Sequence, residues 1–387
     1  MAIILTITIA ITLLTSLVLS TRWGNARCTG PIPVSFFTFI AILFTSGLDV
    51  GLIMFPLVDF QVYAAESAYG FANPLAIEFG FWGFLVWAFY FLTTFYFCIV
   101  EPRLKLFEIP VIKVTNNIVI IGTCAFTAFI FLSYLPDYIP DISDPFKYAL
   151  VALVVLLATL SSTDIKLVRI LSVASTWLFF ALIAGAWLVS GMGFSGLLDS
   201  MANIGAYFSN IHRFISPITD YHQFYLYWWF AWSIMIGQFV SRFVGNMKAS
   251  HLMLALLVVP SIPIAVWFSV LYYYFSNDIE IGAYWRIAMV VVGVIFVINS
   301  LDSLIRLYTQ NLRITTERFG KFKYVLCNWL VLLALVLLYK FTPLKIEWIG
   351  LVVVGLYAAT YFLVYKRRHL LVESKTVNLN IQESGRT

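Results

Sequence analysis

The chain has 387 residues, of which 61% are hydrophobic and only 11% charged, and its mean hydropathy is +0.92. A soluble globular domain of this length has no interior large enough for so much apolar surface, so lipid is the solvent over most of the chain. The net charge of +5 does not point to nucleic acid, because the basic residues sit between apolar stretches, where the positive-inside rule accounts for them.

Windows of about 20 apolar residues fall at 2–20, 33–60, 74–101, 111–135, 145–163, 168–191, 222–245, 251–276, 284–308, 322–340 and 346–366, eleven expected transmembrane helices in an all-α integral membrane protein. A secretory signal is a poor reading of the first, since no basic residue precedes Arg22 to make a positive n-region. The connecting segments alternate in charge. One side carries Arg22, Arg27, Arg103, Lys105, Lys166, Arg242, Lys248, Arg313 and the bases from Lys366 onward, and the other carries Glu66, Asp137, Asp141, Asp144, Asp199, Asp278 and Glu280. That asymmetry predicts an N-terminus outside, a C-terminus in the cytoplasm and an inner-membrane location. Residues 192–221 are too polar to span. Leu197, Leu198, Met201, Ile204 and Phe208 predict an amphipathic helix on the outer surface at about 196–212. The tail at 373–387 is polar and expected to be disordered.

Cys28, Cys98, Cys124 and Cys327 lack metal-ligand spacing and are expected as free thiols, and His212, His222, His251 and His369 fall in loops or at helix ends, where solvated side chains are expected. No hydrolase, metalloprotease or phosphate-loop motif occurs, so no catalytic residue and no metal ligand set is assigned. Three stretches carry candidate chemistry. The second span contains Thr45-Ser46-Gly47-Leu48-Asp49-Val50-Gly51, then Pro56 and Asp59. Glycines flanking a carboxylate in mid-span predict a broken helix whose backbone faces a cavity, with Asp49 as a functional charge. Glycine-mediated helix packing is the alternative. In the third span Trp82, Tyr90 and Trp87 fall at about 0°, 80° and 140° on a helical wheel. In the seventh, Trp228, Trp232, Tyr225 and Trp229 fall at about 0°, 40°, 60° and 100°. Two such faces meeting as a box would hold a quaternary ammonium group by cation–π attraction, whereas ordinary ring packing is the plainer alternative in a chain that is 18% aromatic.

At these residues the chain resembles the betaine/choline/carnitine transporter family. FYLYWWFAWSIMIGQFVSR at 224–242 is similar to the family signature FYWAWWxSWxPFVGxFxAR, matching at Trp228, Trp229, Trp232, Gly237 and Arg242. FWGFLVWAFY at 81–90 resembles HWGxHxWAxY, 45–51 resembles AAGMGIG, 296–303 resembles FFVTSADS, and 164–172 resembles LDKGIKILS. The resemblance implies a LeuT-type fold of two inverted five-helix repeats, with a leading helix and loop at 1–32, a ten-helix core at 33–366 and a cytoplasmic tail at 367–387. It implies a secondary transporter for a betaine-, choline- or carnitine-like solute, and homotrimers. Trp82, Trp87 and Tyr90 would join Trp229 in a central box, with Trp228 and Trp232 along the pathway. Asn299 and Ser300, with Phe296, would stand at the sodium-coordinating positions beside the backbone of Thr45 and Leu48. Asp49 replaces a family glycine and Asn299 a threonine, which leaves H+ and Na+ both open as coupling ion. The competing readings are an amino-acid or amine carrier using Asp49 as counter-ion and a membrane receptor without transport.

Overall fold

In the computed structural model, residues 2–48 and 50–371 are described. Asp49 and the tail from 372 onward therefore lie outside the described residues. A single helix α1 (Ala2–Arg22) leads into a loop. The next span is two helices, α2 (Phe36–Gly47) and α3 (Gly51–Ala65), set at 53° to each other. The following span is also interrupted: α4 (Pro74–Trp82) gives way to a single 3-10 turn before α5 (Trp87–Phe95), a π turn and the short α6 (Glu101–Leu104). Then come α7 (Pro110–Tyr138), α8 (Asp144–Ser161) and α9 (Ile165–Val189). Two short helices, α10 (Phe194–Ala202) and α11 (Gly205–Ser209), precede the unbroken α12 (Asp220–Val240). The chain ends with α13 (Ala249–Val258) and α14 (Ser261–Ser276), divided at Val259-Pro260, then α15 (Ala283–Asn311), α16 (Thr316–Phe319), α17 (Lys321–Phe341) and α18 (Ile346–Lys366). A two-stranded antiparallel ribbon, β1 (Arg27–Cys28) with β2 (Met247–Lys248), ties two basic loops together.

Among the described residues nine helical runs are long and apolar enough to cross a membrane, and the bent pair α2–α3 makes a tenth. The eleventh expected span is α12, 21 residues long, whose Tyr and Trp side chains lower its hydropathy. Within lipid each backbone N–H and C=O must be satisfied internally, and the starts of the spans show how the loops comply. Ser35, Asn73, Asp164 and Thr219 each accept a backbone N–H of the following turn. The segment expected as one amphipathic surface helix is instead two short helices and a 3-10 turn, folded onto α4 and α14. Leu197, Ile204, Tyr207 and Phe214 are buried there, while Leu198 and Phe208 remain exposed. The segment packs on protein, so its apolar residues need not face lipid.

At the centre, α12 packs between α5 and α18 and also touches α2. The approach to α5 depends on Gly237, where a Cβ would overlap Thr93. In its absence the Thr93 hydroxyl donates to the Ser233 carbonyl at 2.7 Å. Among the ten spans after α1, the second of each five is broken, at Gly83–Val86 and at Val259-Pro260.

Candidate functional site

The break after α2 frees carbonyls that a continuous helix would have used. Leu48 leaves the helix in an extended conformation (φ −128°, ψ 153°). A buried carbonyl without a donor costs about 1–3 kcal/mol, and hydroxyls from α5 and α15 lie beside those of Thr45, Gly47 and Leu48. Tyr90 on α5 donates its hydroxyl to Gly47 O at 2.9 Å. Ser300 on α15 lies 3.2 Å from Thr45 O and 2.8 Å from Leu48 O. Ser46 and Ser303 share a hydroxyl contact of 2.8 Å. The unwound segment thus joins two groups of residues, an aromatic one on α4, α5 and α12 and an oxygen-rich one on α15.

The aromatic group centres on Trp229. Its ring centroid is 6.0 Å from Trp82, 6.0 Å from Trp87 and 5.3 Å from Tyr90. Trp87 and Tyr90 pack edge to face at 5.3 Å. The three residues from 82 to 90 do not share one helix face, as the wheel required, because the helix stops at Trp82. Gly83 is extended, Phe84 has φ +46°, and α5 restarts at Trp87. The rings nonetheless meet, since two indole N–H groups bridge the gap. Trp87 Nε1 donates to Trp82 O at 2.9 Å, and Trp229 Nε1 to Phe81 O at 2.7 Å. Two acceptors from the neighbourhood satisfy the turn itself: Phe84 N–H donates to Ser261 Oγ at 2.8 Å and Leu85 N–H to the Tyr207 hydroxyl at 3.3 Å.

Gly47, Leu48, Trp82, Tyr90, Trp228, Trp229 and Trp232 enclose a cavity of about 10 Å³, room for roughly one water. The box is closed to a solute in this conformation. Trp228 packs on Phe55 and Trp82, at 5.9 and 5.4 Å, to one side of Trp229. The indole N–H groups of Trp228 and Trp232 are buried and find no acceptor among the described residues.

The second group is arranged unevenly. The carbonyls of Thr45 and Leu48 converge with Ser300 Oγ, an oxygen set suited to a small cation. Asn299, although fully buried, turns its amide to Ser172 on α9, at 3.4 and 3.5 Å, and Phe296 places its ring against Phe44 and Phe179. The Thr45 hydroxyl donates back to Ala41 O at 2.8 Å within its own helix.

Other residues were missed or misjudged at the level of sequence. His222 is buried, not solvated. Its ring stacks on Phe81 at 4.3 Å, and its Nδ1 accepts from Ile218 N–H at 3.1 Å. Glu78, Asp59, Tyr63, Tyr221 and Tyr225 form a buried polar cluster beside the box. The available signal was a carboxylate inside each of two apolar spans. At the basic end, Asp302 and Arg306 form a buried ion pair at 3.0 Å, and Arg306 also donates to Ser161 O and Asp164 O.

No protein-family model matches the chain. Over 152 residues it is 32% identical to the high-affinity choline transport protein of Escherichia coli K12, and equally to that of strain O157:H7. The matched stretch is 36% of this chain and spans only 22% of the relative's length. Among solved structures, the substrate-bound outward-open state of a Na+-coupled sialic acid symporter superposes with a TM-score of 0.50 at 15% identity, over 91% of this chain and 84% of that one. The fold is of the LeuT type. This multi-pass membrane protein therefore carries its broken helices, as that fold does, where backbone can turn toward a buried cavity.

Proposed function

We propose that the chain is a secondary transporter that moves a small quaternary-ammonium or related zwitterionic solute by alternating access through the box of Trp82, Trp87, Tyr90 and Trp229. The observation that carries this reading is the convergence of four aromatic rings from two spans on the unwound end of α2. Aromatic faces attract a desolvated cation without requiring a counter-charge. The free N–H groups of Trp228 and Trp232 complement the carboxylate of a betaine-like solute. The partial likeness to a choline transport protein agrees. Reconstituted protein should accumulate radiolabelled choline, betaine or carnitine in proteoliposomes. Specific binding without accumulation would instead favour a receptor. Preference for amino acids would favour a carrier using Asp49.

The coupling ion is H+ or Na+, with Ser300 and the carbonyls of Thr45 and Leu48 as the sodium-binding candidates. The same reading sets the basic loops in the cytoplasm and the N-terminus outside, in the inner membrane. In a chain whose native cysteines are replaced, a cysteine at Ser143 should be labelled from outside and one at Thr316 protected. The reverse pattern would overturn the orientation.

A further inference from the structure

Between the aromatic box and the acidic end of the bundle, two carboxylates are buried with no cation beside them among the described residues. Asp59 on α3 is 2% exposed and Glu78 on α4 is 0% exposed. Tyr63, one turn beyond Asp59, bridges them. Its hydroxyl lies 2.6 Å from Glu78 Oε2 and 3.2 Å from Asp59 Oδ2. Tyr221 and Tyr225, one turn apart on α12, donate to the same Asp59 oxygen at 2.8 and 3.0 Å. Glu78 Oε1 has no hydrogen-bond partner among the described residues. The indole N–H of Trp82, one turn along α4 from Glu78, is buried and has no hydrogen-bond acceptor among the described residues.

The surroundings supply no compensating charge. Among the described residues no lysine or arginine pairs with either carboxylate. From α7 the cluster meets Tyr134, Asp137 and Tyr138; from the turn before α4 it meets Tyr69; and α14 offers tyrosines only. Arg286 at the start of α15 is engaged with Glu280 at 2.5 Å. Arg213, in the turn before α12, is exposed and lies over the Phe71 ring at 4.6 Å. His222 accepts at Nδ1 and so carries no proton there.

Counting hydrogens then decides the protonation. If both carboxylates were ionised, the single Tyr63 proton would have to serve two acceptors, and two like charges would share a dry site. One added proton satisfies every contact. Glu78 Oε2–H donates to Tyr63 Oη, Tyr63 Oη–H donates to Asp59 Oδ2, and ionised Asp59 accepts three hydroxyls. Passing the proton along this chain moves it from Glu78 to Tyr63 as the tyrosyl proton goes to Asp59, leaving Glu78 ionised and Asp59 neutral. From Asp59 the contacts continue through Tyr221 to Tyr134 at 3.3 Å. One turn further along α7, Asp137 lines a cavity of about 540 Å³ at the acidic end, which Leu57 and Val58 of α3 also line.

We infer that Glu78, Tyr63 and Asp59 form a proton-binding site that holds one proton in this conformation and exchanges it as the box is loaded. The link to loading rests on the reading of the chain as a transporter. Trp82 makes it, because its ring is a wall of the box and it stands one turn from Glu78 on α4 with its buried N–H unpaired among the described residues.

The test uses the full chain in nanodiscs and in proteoliposomes. Infrared spectra near neutral pH should show a protonated-carboxyl band that shifts on 13C-glutamate labelling of the parent and is absent in Glu78→Gln. In proteoliposomes an inward proton gradient should stimulate labelled choline uptake by the parent. In Glu78→Gln that stimulation should fall to parity, with gradient-free exchange retained. A parent without the band, or with a band indifferent to glutamate labelling, would overturn the site even if the variant failed to fold. Equal gradient stimulation of parent and Glu78→Gln would also overturn it. The labelled band without choline uptake under any gradient would support the proton site and defeat only the choline reading.

Discussion

Replacing Trp229 separates the two things this residue does. Its ring faces Trp82, Trp87 and Tyr90, and its N–H donates to Phe81 O beside the break after α4. Trp229→Phe keeps a π face and loses the donor. Trp229→Leu loses both. Stranding a buried carbonyl costs about 1–3 kcal/mol, so both variants should unfold at lower temperature than the parent. Cation–π attraction in a desolvated site is worth about 2 kcal/mol, or roughly thirtyfold in affinity. Only Trp229→Leu should therefore lose roughly thirtyfold in choline binding beyond the loss in Trp229→Phe. The assay is calorimetric titration with choline and with its neutral isostere 3,3-dimethylbutan-1-ol. The parent should prefer choline, and Trp229→Leu should discriminate less. Undiminished choline preference in Trp229→Leu would refute the box, because the central one of the ring quadrupoles that distinguish a cation from its isostere would be gone.

Two further outcomes follow from the packing. Arg306→Met leaves Asp302 buried and unpaired and should cost about 3–5 kcal/mol, whereas adding Asp302→Leu should restore most of it; thermal unfolding of both variants checks this, and equal loss in the two would show that the ion pair is not the cause. Gly237→Ala places a methyl against Thr93 and should destabilise by about 1–3 kcal/mol through overpacking. An unchanged melting temperature would mean that α5 and α12 yield more easily than their hydrogen bond implies.

The positions of the spans were legible in the sequence because lipid imposes a length and an apolarity on any helix that crosses it. The break at Gly47–Gly51 was legible for a similar local reason: glycines around a charge do not continue a buried helix. The aromatic residues that meet around Trp229 were legible as candidates, yet the geometry used to join them was not that of the molecule. A helical wheel presumes an unbroken helix, and the stop at Gly83 depends on Ser261 and Tyr207, which are distant in sequence. Burial of His222 and folding of the 194–215 segment onto α4 and α14 were likewise invisible, since a local apolar pattern does not say whether lipid or protein covers it. Asp59 and Glu78 each read only as a lone charge in an apolar stretch. Their sharing of Tyr63, and the two α12 hydroxyls that converge on Asp59, exist only once three helices are side by side. Sequence thus determined which groups enter the membrane, because that choice is made one span at a time against lipid. Tertiary structure decided which of them meet, because the carbonyls of Thr45, Gly47 and Leu48 and the carboxylates of Asp59 and Glu78 find hydroxyl partners on other helices.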